Sequence, residues 1–184
     1  MLRIASGKEK GRRLRSLKSL RPTEEQVRQS LFNSLAKRVE GARFLDLFAG
    51  TGVVGIEALS RGAKEAWFVD RAKKCVELIK KNLKECNLEE KGRVFLTDVR
   101  KVVPLFSKRG ERFEIVFLDP PYNKIDLLFE SLNLIGEGDI LVDEGICIVQ
   151  HDSHLILPDT IGKLRKFNIK KFGTTTLSFY GREK

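Results

Sequence analysis

The chain has 184 residues, a hydrophobic fraction of 41%, a charged fraction of 33% and a formal net charge of +10. That length suits one α/β domain with a full core and a small appendage, and the composition is that of a soluble globular protein. No apolar run approaches the ~20 residues a membrane-spanning helix needs, and no apolar leader opens the chain, so the expected location is the cytoplasm.

The charge is uneven. Residues 1–21 carry eight Lys/Arg against one Glu, and residues 163–184 carry seven against one. These ends hold +7 and +6 of the +10 total, which leaves −3 on the residues between. Two basic ends on a mildly acidic middle point to a polyanionic partner. Either end alone would read as a solvated tail.

In chain order, Leu2-Arg-Ile-Ala-Ser6 and Arg12-Arg-Leu-Arg-Ser16 flank a glycine-bearing turn and predict a short hairpin. Its apolar content is thin, so it must dock on something or stay mobile. Arg3, Arg12, Arg13 and Arg15 make it an arm suited to phosphates. Arg21-Pro22-Thr23-Glu24-Glu25-Gln26 predicts a helix start with Thr23 as N-cap and Gln26 at the capping-box position. Val27, Leu31, Leu35 and Val39 form its buried stripe; Arg28 and Asn33 lie off that stripe, and simple solvent exposure is the plainest account of them.

From Phe44 onward the pattern alternates. Strands are expected at 43–47, 65–69, 93–97, 113–118 and 145–150, with helices at 52–61, 71–86, 99–108 and 125–135 between them. Extended runs at 164–171 and 174–180 follow, and Gly173 between them predicts a closing antiparallel hairpin. Such alternation calls for a doubly wound, parallel α/β sheet.

Two motifs carry chemistry. Phe44, Leu45 and Leu47 lead through Gly50 and Gly52 into a helix, which directs backbone N–H groups at the carboxyl end of the first strand, where open α/β sheets bind ligands. Asp70 ends the second strand, where an acid suits the hydroxyls of an adenosine ribose. NAD, FAD and S-adenosylmethionine (SAM) enzymes share this pattern. Asp46 just before the turn leans away from a pyrophosphate and toward an ammonium group such as that of SAM.

The second motif is Asp119-Pro120-Pro121-Tyr122 after the apolar strand Glu114-Ile-Val-Phe-Leu118, expected to face the same crevice as the glycine turn. Asp119 and an outward carbonyl such as that of Pro120 could accept both hydrogens of an exocyclic amine, while Tyr122 stacks on the ring that bears it. The alternative is a rigid turn with a surface aromatic. Asp98, after the third strand, could accept from an adenine amine or could simply cap a helix.

Cys75, Cys86 and Cys147 are too scattered for a disulfide framework. Cys75 and Cys86 sit ~16 Å apart on one helix, beyond disulfide reach. His151 and His154 have no cysteine neighbours and are expected to be surface residues, not metal ligands.

With these residues assembled, the chain resembles the RsmD-type family of class I SAM-dependent methyltransferases. These enzymes methylate the N2 amine of a guanine in 16S ribosomal RNA. The resemblance runs from Arg21-Pro-Thr23, Arg28 and Leu31-Phe-Asn33 through Leu45-Asp-Leu-Phe-Ala-Gly-Thr-Gly52 and Glu57-Ala-Leu-Ser-Arg-Gly62 to Asp119-Pro-Pro-Tyr122 and Tyr180-Gly-Arg182. It implies a seven-stranded Rossmann-like methyltransferase domain at 22–184 behind a basic hairpin arm at 1–21. It places Asp46, Phe48, Ala49, Gly50, Gly52, Asp70, Arg71, Asp98 and Val99 around SAM, and Asp119, Pro120 and Tyr122 on a flipped guanine. Arg3, Arg12, Arg21, Thr23 and Arg28 would meet the RNA. The partner implied is small-subunit rRNA, free or within a ribosomal particle, and the enzyme is expected to be a monomer without a metal. Family members often carry Glu where Asp70 stands, and often a glutamate where this chain has Val149-Gln150-His151.

Three rivals remain open on sequence alone. An adenine N6 methyltransferase would share Asp119–Tyr122 but needs a larger recognition region. A NAD-dependent dehydrogenase leaves Asp119–Tyr122 without a role. A non-catalytic RNA-binding assembly factor has no reason to retain the acids and glycines of both motifs.

Overall fold

The computed structural model describes residues 2–16 and 22–182, which divide into two compact units, Met1–Thr97 and Asp98–Lys184. Arg21, expected at the RNA surface, lies outside the described residues.

In the first unit, helix α1 (Pro22–Leu35) is followed by a 3-10 turn (Ala36–Val39). The helix begins at Pro22, one residue before the expected cap Thr23. A proline needs no N–H partner there, and its fixed φ suits the first helical position. Val27, Leu31, Leu35 and Val39 form the expected stripe, each 3% exposed or less. Strands β1 (Arg43–Leu47), β2 (Glu65–Asp70) and β3 (Gly92–Leu96) alternate with helices α2 (Val53–Ser60) and α3 (Lys73–Glu85). β2 pairs in parallel with β1 on one side and β3 on the other, which makes one βαβαβ half of a doubly wound fold. Phe44, Leu45, Phe68, Ile56 and Ile79 are fully buried between these layers.

The N-terminal arm belongs to this unit. It is a hairpin, with Ile4 donating to the Arg12 carbonyl at 3.1 Å and Leu14 to that of Leu2 at 2.9 Å. Leu2, Ile4 and Leu14 are buried. Of the two outcomes open to so thin a hairpin, docking is the one realised.

The second unit holds α4 (Val99–Lys108), β4 (Phe113–Leu118), α5 (Ile125–Glu137) and strands β5 (Leu141–Asp152), β6 (Thr160–Ile161), β7 (Leu164–Phe172) and β8 (Thr175–Arg182). β4 and β5 are parallel, while β8 is antiparallel to both β5 and β7. The described strands number eight; the short β6, paired with the start of β7, is one more than the resemblance implies. Gly173, at φ +57°, occupies the first position of the two-residue turn between Phe172 and Thr175, the place where a type II′ hairpin needs a glycine.

β5 is longer than expected, and this changes one assignment. The strand continues past Gln150, and His151 pairs with Thr176 in the ladder. His151 is therefore buried at 3% exposure, not a surface residue, whereas His154 lies in the exposed turn beyond. The three cysteines are free, and the described residues contain no cluster of metal-binding side chains.

Candidate functional site

The glycine loop of the first unit is held from below by two carboxylates. Asp46 in β1 is 2% exposed and accepts the Gly55 N–H of α2 at 3.1 Å, which fastens the strand to the first turn of the helix. Asp70, at the end of β2, takes the Gly50 N–H at 2.9 Å with one oxygen and the Ala72 N–H at 2.8 Å with the other. Ala49 donates to the Val69 carbonyl at 3.0 Å, so the loop is stitched to β2 at two consecutive residues. A carboxylate has about four acceptor positions, so Asp70 retains capacity for a diol.

Backbone conformation explains the residues of the turn. Phe48, Gly50 and Gly52 all have positive φ, at 67°, 55° and 75°. Phe48 is the costly one, since a side chain in that region stores on the order of 1–3 kcal/mol and such strain concentrates at functional loops. A Cβ on Gly50 would meet only the Phe48 carbonyl, at 4.0 Å, so the side of the loop it faces is open. A Cβ on Gly55 would lie 2.3 Å from Phe68 Cε1; this third glycine lets α2 lie close against β2. Arg71 is exposed beyond Asp70. An open glycine turn above one buried and one half-buried acid fits a ligand with a cationic end and a vicinal diol, as SAM has.

In the second unit, Asp98 takes the helix-cap role. It accepts the Arg100 N–H of α4 at 2.9 Å and holds the Arg100 guanidinium at 2.9 Å through both oxygens. Val99, the first residue of that helix, is buried.

The end of β4 presents Asp119 half-buried, Pro120 buried and Tyr122 41% exposed. The Tyr122 hydroxyl lies 3.0 Å from Thr175 Oγ1, at the start of β8, with the Gln150 side chain nearby. Burial pushes the phenol above its ordinary value, and the negative charge of Asp119 adds to this, against the hydrogen bond with Thr175 and the nearby Gln150 side chain. Tyr122 therefore stays neutral near pH 7 and presents a ring face, not a base. Thr175 and Gln150 escaped sequence reasoning. The only signal was Gln150 standing where an acid is common.

The arm residues differ from one another. Arg3 and Arg12 are exposed, and Arg12 is paired with Glu9 at 2.5 Å and donates to the Glu85 carbonyl at 2.7 Å. Arg28, expected at the substrate surface, is instead 5% exposed; it donates to the Arg3 carbonyl at 3.0 Å and lies 4.0 Å from Glu57. Its chemistry is internal, because α1 turns it toward the arm and α2. Burial lowers its pKa, opposed chiefly by Glu57.

Glu57, Ser60 and Asn82 fasten the arm. The fully buried Glu57 accepts the N–H groups of Ala5 and Ser6 at 2.7 and 3.0 Å and pairs with Arg61 at 2.9 Å. Ser60 takes Lys8 N–H on its carbonyl at 2.8 Å and Glu9 N–H on its hydroxyl at 2.9 Å. Asn82 of α3 accepts from Arg15 N–H at 2.8 Å and donates to the Arg15 and Thr51 carbonyls. A lone acid in the apolar helix Val53–Ser60 was the signal for Glu57.

The family model of conserved hypothetical protein 95 matches residues 2–181. The chain belongs to that family. Among relatives of this conserved hypothetical protein 95 member, YlbH of Bacillus subtilis is 39% identical over 181 residues, 97% of this chain and 98% of its own. Ribosomal RNA small subunit methyltransferase D of Escherichia coli K12 is 33% identical over 184 residues, 99% of this chain and 90% of its own. The solved structure of yhhF from Escherichia coli matches with a TM-score of 0.86 at 30% identity, covering 99% of this chain and 98% of that one. The family therefore shares a mixed α/β, Rossmann-like methyltransferase fold, and the resemblance read from the motifs holds along the whole chain.

Proposed function

We propose that this protein is a SAM-dependent methyltransferase that modifies the N2 amine of a guanine in 16S ribosomal RNA, in the cytoplasm. The observation that carries the reading is an intact Asp119-Pro-Pro-Tyr122 end of β4 in a chain 33% identical over 184 residues to an enzyme named for small-subunit rRNA methylation.

In this reading the first unit holds the cofactor. Asp46 gives negative charge beneath the loop, the turn at Gly50 and Gly52 leaves room for the methionine part, and Asp70 accepts from the ribose diol. Arg71 closes over the exposed side. When bound, SAM supplies a methyl carried on a sulfonium, an electrophile that needs a lone pair and no oxidant. For the adenine end this reading assigns Asp98 and Val99, at the start of α4.

The second unit holds the base. An exocyclic guanine amine is a poor nucleophile because its lone pair is delocalised into the ring. Asp119 and the Pro120 carbonyl accept its two hydrogens and favour a pyramidal nitrogen. Tyr122, kept neutral and pinned by Thr175, stacks on the flipped ring and fixes its direction. Arg3 and Arg12 give the RNA backbone a basic surface.

Incubation with tritiated SAM and separated ribosomal subunits, followed by nucleoside analysis, tests the reading. Label as N2-methylguanosine in small-subunit RNA is expected, and Asp119→Ala abolishes it while RNA binding survives. Label as N6-methyladenosine would transfer the protein to the adenine class, and no label in any RNA would favour a non-catalytic assembly factor.

A further inference from the structure

Tyr122 is tied to a strand whose face runs outward from it. In the ladder, Asp152 pairs with Thr175 and Gln150 with Leu177 on one side of β8, while Phe172 pairs with Thr175 and Lys170 with Leu177 on the other. Paired residues of antiparallel strands share a face, and alternate residues of one strand return to it. Thr175, Leu177, Phe179 and Gly181 therefore stand on the face that Tyr122 touches, Leu177 and Phe179 buried and the half-buried Phe172 and Lys170 beside them.

A β-bulge adds to this face. The β7–β8 register shifts between Lys166 and Asn168, so Phe167 is the extra residue. Its ring lies 6.2 Å from that of Phe179, and its edge is what a Cβ on Gly181 would meet at 3.6 Å. Bulges re-aim side chains, and here the result is a phenylalanine 59% exposed on the same face. Four ladder steps, roughly 14 Å, separate the positions of Phe172 and Phe167, with Lys170 between them.

The chemistry of this row is aromatic and basic. β7 reads Leu-Arg-Lys-Phe-Asn-Ile-Lys-Lys-Phe, four cations and no acid, of which Arg165 and Lys170 fall on this face and Lys166 and Lys171 on the other. Lys166 is taken by Asp159 at 2.8 Å, whereas Lys170 and Lys171 make no ion pair among the described residues. The acid on this face, Asp152, is engaged by His154 at 2.8 Å through its backbone and its ring. Aromatic faces spaced along a basic strand bind single-stranded nucleic acid by stacking and phosphate contact.

We propose that this face of the β7–β8 hairpin, from Tyr122 through Phe172 and Lys170 to Phe167, binds the single-stranded RNA flanking the target base. The proposal rests on the RNA methyltransferase reading and extends it to a surface that selects unpaired RNA. Phe167 and Phe172 stack on neighbouring bases and Lys170 meets a phosphate. A folded duplex offers no bases to stack, so the surface favours a target in a loop or an exposed strand.

The test uses the full chain with Phe167→Ala at an exposed position of β7, Lys170→Glu at a half-buried one, and Phe172→Ala as a third variant. Circular dichroism and thermal melting establish that each is folded. Binding of a fluorescent single-stranded RNA is measured beside KM and kcat for methylation of small-subunit RNA. Phe167→Ala and Lys170→Glu are expected to raise both the RNA Kd and KM tenfold or more, with kcat within twofold and SAM affinity unchanged. Lys170→Glu also lowers the slope of log Kd against log salt by about 0.7 or more, one phosphate contact on a single strand. Unchanged RNA Kd in folded Phe167→Ala and Lys170→Glu overturns the proposal. A shift in oligomeric state with RNA Kd intact overturns it too, and assigns the face to a second copy of this chain. Because the binding measurement needs no turnover, a wild-type protein that binds RNA through this face yet transfers no methyl refutes the activity reading alone.

Discussion

Asp70 accepts the backbone N–H of Gly50, 20 residues earlier in the chain, at 2.9 Å, and so ties the end of β2 to the loop that follows β1. The carboxylate proposed to bind ribose is thus also the anchor of the loop proposed to cradle the methionine part.

Asp70→Ala is therefore expected to do two things together. It leaves the Gly50 and Ala72 N–H groups without their acceptor, a loss of about 1–3 kcal/mol in urea unfolding. It also weakens SAM binding by tenfold or more in calorimetry. A stability loss with unchanged SAM affinity would confine Asp70 to its structural part.

Gly55→Ala tests the close approach of α2 to β2. The new methyl would sit 2.3 Å from Phe68 Cε1, in a layer with no exposed exit, and overpacking of this kind costs about 1–3 kcal/mol. Phe68→Leu in the same chain recovers part of the loss, and a double-mutant cycle by thermal melting measures the coupling.

Glu57→Ala removes the fastening of the arm. Arg28 and Arg61 lose their buried counter-charge and Ala5 and Ser6 lose their acceptor, so the expected cost is about 3–5 kcal/mol. Hydrogen exchange at Ala5 and Ser6 accelerates more than at the β1 amides. Equal acceleration everywhere would mean the arm unfolds only with the rest.

Stability should fall as pH drops through 6. Burial holds the His151 imidazole below its ordinary value near 6.5, with hydrogen bonds to the Asp152 carbonyl and Ser178 Oγ, both at 2.8 Å. The unfolded chain takes up a proton below about 6.5 that the folded chain resists. The histidine contribution is therefore complete above pH 7 and declines as pH falls toward the folded value. Urea midpoints for the wild type at pH 7.5 and 5.5 should differ more than those of His151→Asn; equal differences would exclude His151 as the source.

Much of this architecture was visible in the chain before any coordinates. The strand and helix alternation from Phe44 to Leu118 follows apolar runs whose ends are marked by glycines and acids, and boundaries there shift by two residues or fewer. The glycine loop was legible for the same reason, since Gly50 and Gly52 directly after an apolar strand mark a turn that side chains resist. What escaped was set by hydrogen bonds between distant backbone and side-chain atoms. No local pattern shows that Glu57 receives the N–H groups of Ala5 and Ser6, or that this burial draws Arg28 inward. His151 was misplaced because the ladder with β8, not hydropathy, carries β5 to Asp152. Thr175 carried no signal at all, because its meaning depends on the residue that folds against it 53 positions away.

The fastening of the arm has a consequence for how such a surface can change over generations. Ala5, Ser6, Lys8 and Glu9 are gripped by their main-chain amides, which every residue but proline possesses. Gly7, whose Cβ would fall 1.9 Å from the Ser60 carbonyl, is locked to glycine, and Gly11 at φ +83° favours one. The outward side chains of the arm can accordingly drift or be redesigned to retune affinity and salt response while the scaffold beneath stays as it is.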